Sequence, residues 1–329
     1  MAKYLYDLKD HAQSWSGSGK HYFPNGDVGS EAGNILPPGP PPHFFYWVLD
    51  SIMYKTPDGV DPADTPTRLH YHVRGYETFF LDEGTMWLFI NGQKCQCHPG
   101  DIIHLQAGQA HEMSWITNCK WRGTYHDYEV YPGGREVNEV LAHLPEAKDD
   151  PELMQHYREM DNIKLEPYVS VEEVPAEKCL AVKNISRPWA SYDFPGVSMK
   201  IVVERWENGG SKELCCAVME PGFTAEWDKY PTLREVFYVR KGKVKFTIMG
   251  EEVIADQECV VDIPRFAPHS VEALEHSEVY DLGGQTMWSL FLQNYTSIRA
   301  LDPERFAKPE TIKELKEKFN CPIRSIGMK

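Results

Sequence analysis

Long apolar runs are missing from this sequence. The N-terminal segment MAKYLYDLKD has no apolar signal-peptide core, and no later stretch approaches the roughly 20 apolar residues that cross a bilayer. No membrane partner is expected, and the chain reads as cytoplasmic. Clustered basic residues are also scarce. The chain has 34 Lys and Arg against 49 Asp and Glu, a formal net charge of -15 and a pI near 5.3. Phosphate backbones are bound by basic patches, so no nucleic-acid partner is expected. Lys313, Lys316 and Lys318 alternate with Glu, the pattern of a solvated helix face. CxxC spacing is absent too. Cys95 and Cys97 lie two apart and Cys215 and Cys216 are adjacent, so the eight cysteines read as buried or strand thiols in a reducing compartment.

What is present is a text for two domains. A length of 329 residues suits two medium domains better than one. The segment GNILPPGPPP at 33–42 holds five prolines and two glycines. It excludes a helix or a central strand there, and residues 1–43 read as an N-terminal arm. Residues 44–135 are short runs of Val, Ile, Phe, Tyr and Trp broken by turn signals such as INGQ and HPGD, which is the language of an all-β barrel. Residues 136–165 are polar with helical periodicity, broken at Pro145 and Pro151, and read as a helical connector. A second β-rich domain is expected over 166–300, and a C-terminal helical tail over 301–329.

The two β-rich runs superimpose with one constant offset of 158 residues. Glu77 meets Glu235, Phe79 meets Phe237, Gly84 meets Gly242, Gly92 meets Gly250 and His111 meets His269. The coincidence of turn glycines and titratable positions marks an internal duplication. Within the first repeat, His70 and His72 are two apart in RLHYHV, so on a strand they share a face. A turn through Gly75 brings Glu77 back beside them, and His111 opens a later strand. Three imidazoles and a carboxylate leave positions open on a six-coordinate ion, which suits catalysis better than a closed structural site.

The joint pattern resembles the paired signature motifs of the cupin superfamily. His70-x-His72-x4-Glu77-x6-Gly84 matches the first motif, and Gly100-x5-Gln106-x-Gly108-x2-His111 the second. Gln106 stands where Pro is usual, Trp115 where Asn is usual and Asp64 where Gly is usual. No ligand position is affected. The second repeat keeps the spacing, Pro221-Gly222-x5-Asp228-x-Tyr230-x4-Glu235-x6-Gly242, with Pro264 and His269 retained and Phe266 in place of Gly. Asp228, Tyr230, Glu235 and His269 form a degraded second set. A phenol must lose its proton to ligate, so this barrel is expected to be structural and free of metal, the alternative being a second site in which these four residues hold a hard cation.

The resemblance implies two tandem jelly-roll barrels, a bicupin, with one divalent transition metal (Fe, Mn, Ni or Zn) on His70, His72, Glu77 and His111. It is most similar to the quercetinase-like, metal-dependent dioxygenases. That implies oxygen chemistry on a small phenolic, enol or diketone-like substrate, with Glu77 as the proton acceptor. Arg74 and Tyr76 flank the ligands and are candidate substrate contacts. Phe79, Met113 and Trp115 share strand parity with ligands, so they either line a flat apolar pocket or fill the barrel. Alternatives are a non-oxidative isomerase, lyase or hydrolase using the ion as a Lewis acid, and a non-catalytic small-molecule binder. The proline-rich arm and uncovered strand edges point to a homodimer.

Overall fold

The computed structural model describes residues 4–7, 19–22, 29–34, 48–55, 69–72, 76–117, 119–126, 143–152, 162–164, 170–210, 213–283 and 286–326. The architecture is all-β dominated, with α-helices between Trp288 and Lys318 near the C-terminus. Contacts divide the chain into two compact units, His11–Asn184 and Ile185–Lys329, the latter joined by Met1–Asp10.

The first unit packs two sheets. One runs Asn162–Lys164, His70–His72, His111–Trp115, Met86–Ile90, Gln93–Cys97, Glu172–Glu173. The other runs Val182–Lys183, Ile102–Leu105, Tyr76–Glu83, Cys119–His126, Val48–Lys55, Gly29–Asn34, Gly19–Tyr22. Strict alternation sets the faces. In Met86–Ile90 (MWLFI), Met86, Leu88 and Ile90 are buried while Trp87 and Phe89 are half-buried. Phe79, Leu81, Leu88, Ile103 and Met113 belong to one buried core, and each contributes about 1.5–3 kcal/mol by leaving water. The second unit repeats the plan, with a seven-stranded and a five-stranded sheet.

The offset of 158 holds at the level of backbone conformation. Met86–Ile90 maps onto Val244–Ile248, Gln93–Cys97 onto Glu251–Ala255, and His111–Trp115 onto His269–Ala273. Asn91-Gly92 forms a two-residue hairpin loop with both φ positive (51 and 77°), and Met249-Gly250 repeats it at 50 and 84°. Gly108 at φ 76° is matched by Phe266 at 66°, a bulky residue held where glycine is suited. All eight cysteines are buried and none forms a disulfide, as expected of buried or strand thiols.

Several expected boundaries differ. The segment read as an arm contributes strands: Gly19–Tyr22 and Gly29–Asn34 extend a sheet of the first unit, and Leu5–Asp7 pairs with Cys259–Ile263 of the second. The prolines at 37–42 lie outside the described residues. Of the expected connector, Pro145–Asp149 is a short 3-10 helix and Asn162–Lys164 is a strand beside His70–His72. Residues 170–184 pack on the first barrel, so the second unit starts at Ile185 rather than 166. Its closing helix begins at Trp288, before the expected tail. Trp288, Phe291, Leu292 and Tyr295 bury one face at helical spacing. The helices Pro303–Phe306 and Pro309–Lys318 follow, and Ile323–Ile326 returns as a strand beside Thr224–Trp227.

Candidate metal centre

The ligand positions meet because two sheets face each other. His70 and His72 stand on the same side of one strand, and His111 begins the antiparallel neighbour, directly opposite His70. Glu77 comes from Tyr76–Glu83 in the facing sheet. One nitrogen from each of the three imidazoles lies within 4.8 Å of the others. Glu77 reaches two of them, with Oε1 3.2 Å from His72 Nε2 and Oε2 3.4 Å from His111 Nε2. His111 and Glu77 are buried, while His70 and His72 are half-buried.

Hydrogen bonding fixes what these atoms offer. His111 Nδ1 lies 2.9 Å from the Gln109 carbonyl, which can only accept, so Nδ1 carries the proton and Nε2 presents a lone pair toward Glu77. Burial raises the Glu77 pKa, but His72 and His111, when protonated, outweigh it and hold the carboxyl well below the usual range. Neutral imidazole lone pairs this close to a carboxylate oxygen repel it unless a cation sits among them. The set therefore suits a divalent transition metal, with imidazole nitrogen and carboxylate oxygen as ligands. Gln109, which orients His111, was not foreseen; its position two residues before the ligand was the available signal.

The expected substrate contacts divide. Phe79 and Met113 lie in the core, 1% and 4% exposed, and as placed they fill the barrel. Tyr76 is half-buried at the strand start, and burial raises its phenol pKa. Arg74 and the Trp115 side chain lie outside the described residues.

The second barrel shows how a ligand set is dismantled. Glu235 and His269 remain paired, Oε2 to Nε2 at 3.1 Å, and His269 Nδ1 keeps its carbonyl partner, Ala267, at 2.8 Å. Trp227 then takes the remaining space. Its indole donates to Glu235 Oε1 at 2.6 Å and lies against His269 with ring centroids 4.5 Å apart. Burial keeps the Glu235 pKa raised despite His269, in contrast with Glu77 and its two imidazoles. Asp228 is held by Lys316 at 2.6 Å, and Tyr230 is exposed. Among the described residues, the cluster of three or more potential donors close enough to share an ion is His70, His72 and His111. Lys316 is thus a correction to the solvated face expected of the C-terminal helix: its side chain is only 18% exposed. Neither Trp227 nor Lys316 was foreseen as part of this region.

Comparison with known proteins agrees with the architecture. The cupin-domain family model matches residues 59–124. A segment of 42 residues is 43% identical to the quercetin 2,3-dioxygenase of Bacillus subtilis (strain 168), a match that spans 13% of this chain and only 12% of that relative. Among solved structures, the formate complex of Lactobacillus farciminis oxalate decarboxylase is 13% identical, with a TM-score of 0.50 over 95% of this chain and 96% of that one. Bacillus subtilis oxalate decarboxylase, described with Mn(II) centres, is 14% identical, with a TM-score of 0.50 over 98% and 89%. No described helix is long and apolar enough to cross a membrane. Duplicated barrels, the matched domain and the motif spacing converge: residues 59–124 match the cupin-domain family, and the chain shares the two-barrel fold of these oxalate decarboxylase structures.

Proposed function

We propose that this chain is a bicupin and a metal-dependent enzyme of the first barrel, an oxygen-using dioxygenase acting on a small phenolic, enol or diketone-like substrate. The observation that carries the metal assignment is the convergence of His70, His72 and His111 from one sheet with Glu77 from the facing sheet. These four residues would hold one Fe, Mn, Ni or Zn ion. When bound, the ion supplies Lewis acidity toward a substrate oxygen at a position the protein leaves open. Glu77, the carboxylate placed beside two imidazoles, is the residue positioned to accept the proton of the substrate hydroxyl. The Gln109 carbonyl holds His111 in one tautomer and orientation. Tyr76, half-buried one residue before Glu77, is the described candidate for a substrate contact.

The oxygen-using part draws support from the short match to a quercetin 2,3-dioxygenase. The test is oxygen consumption by metal-loaded protein with a panel of catechols, flavonols and diketones. Uptake of oxygen in step with product is the expected result. Product formed without oxygen uptake replaces the dioxygenase with a lyase, isomerase or hydrolase that uses the same four residues. Binding without any turnover across the panel would favour a non-catalytic cupin.

A further inference from the structure

In the second barrel, the positions equivalent to His70 and His72 have been turned outward onto a different feature. Asp228 and Tyr230 line a cleft of about 510 Å³ formed with the helix Pro309–Lys318 and the segment leading into the last strand. That volume falls within the ~300–1,000 Å³ of small-molecule sites. The Asp228 backbone N–H donates to the Pro322 carbonyl at 2.8 Å and ties the two walls together.

The cleft brings three cations together in a strongly anionic chain, each set against a carboxylate. Lys313, Lys316 and Arg324 line it against two carboxylates, Asp228 and Glu317, in a protein of net charge -15. Two of the cations are loosely engaged. Lys313 is 3.8 Å from Glu317 and Arg324 is 3.7 Å from Glu226, with all four side chains more than half exposed. Such pairs hold their partners weakly and exchange readily. Lys316 differs, being 18% exposed and 2.6 Å from Asp228. Tyr230, 61% exposed, gives the cleft an aromatic wall, and Pro231 and Pro322 stiffen it.

From this arrangement we infer that the second barrel carries a binding site for a small aromatic carboxylate, with Lys316, Lys313 and Arg324 taking the carboxylate and Tyr230 the ring. Asp228 acts as an internal stand-in that occupies Lys316 until the ligand displaces it. The site is independent of the first barrel's metal and of the reaction proposed there.

The experiment is calorimetric titration of the full-length, metal-loaded protein with benzoate at low ionic strength. Lys316→Gln is expected to weaken binding about tenfold or more, the usual worth of a charge-assisted hydrogen bond, and Arg324→Gln or Lys313→Gln less. Asp228→Asn is the decisive variant: removing the competitor should tighten benzoate about three- to tenfold. A gain of affinity cannot arise from misfolding. Benzoate held at the first barrel's ion would be insensitive to all four substitutions, and that insensitivity, or an absence of binding, overturns the inference. Inorganic phosphate binding as tightly as benzoate would overturn the aromatic part of the assignment.

Discussion

At the scale of single residues, environment divides carboxylates with the same sequence context. Glu77 and Glu235 occupy equivalent positions, yet two imidazoles, when protonated, hold the first well below the usual range while burial leaves the second raised. If Glu77 only held the ion, Glu77→Gln reconstituted to full occupancy would keep its turnover. As proton acceptor it cannot be replaced by an amide, and the rate is expected to fall by a further factor of about 100–10,000. Full activity at full metal occupancy would remove Glu77 from the chemistry. Glu213 offers a test through stability. Its side chain is fully buried, accepts from Ser289 N at 2.8 Å and Ser289 Oγ at 3.1 Å, and lies 3.3 Å from Arg205. Burial nevertheless pushes its pKa up to about 6, with Glu204 adding a smaller repulsion and Ser289 and Arg205 opposing. The folded state thus holds this proton more tightly than the unfolded chain. The Glu213 contribution is greatest below about pH 4.5, falls as pH rises through 6 and is flat above, a change on the order of 2 kcal/mol. Urea unfolding of wild type and Glu213→Gln between pH 4.5 and 7 measures it, and a pH-independent difference would refute it.

At the scale of elements, the duplicated turns record where the second barrel accepted strain. Met249 and Phe266 hold left-handed backbone conformations, whereas Asn91 and Gly108 hold the equivalent places. Met249 and Phe266 are 49% and 60% exposed, so packing recovers little of the cost. Met249→Asn and Phe266→Gly are each expected to stabilise the fold by about 0.5–1 kcal/mol, part of the ~1–2 kcal/mol penalty for a left-handed side chain. A lower unfolding midpoint in both variants would contradict this. The same turns explain what was legible in the sequence. Period-2 burial and Asn-Gly punctuation are local, so strands such as Met86–Ile90 and the spacing of His70, His72, Glu77 and His111 could be read directly. Trp288–Leu301 was misread because its aromatic, apolar text suits a strand as well as a helix. The Lys316–Asp228 pair was invisible because its partners are 88 residues apart and meet only through tertiary packing. The strands Gly19–Tyr22 and Gly29–Asn34 are hidden for another reason: GKHY and GSEAGN lack the alternating apolar residues that mark a half-buried strand.

At the scale of the whole molecule, one barrel keeps three histidines and a carboxylate that could hold a metal, and the other has an indole, a histidine–carboxylate pair and a lysine-capped aspartate in their place. We propose a homodimer as the working unit. The strand Ala190–Phe194 ends its sheet with its outer edge unpaired among the described residues, an edge that a second copy would cover. Light scattering is expected to give twice the 37.8 kDa chain mass, and a monomer mass at working concentration would refute it. The asymmetry of the two barrels is tested most directly by the metal content of protein purified without chelators. One equivalent of transition metal per chain is expected, lost in His111→Ala with circular dichroism unchanged and retained in Glu235→Gln. Two equivalents per chain, or metal that survives His111→Ala, would contradict the assignment of the centre to His70, His72, Glu77 and His111.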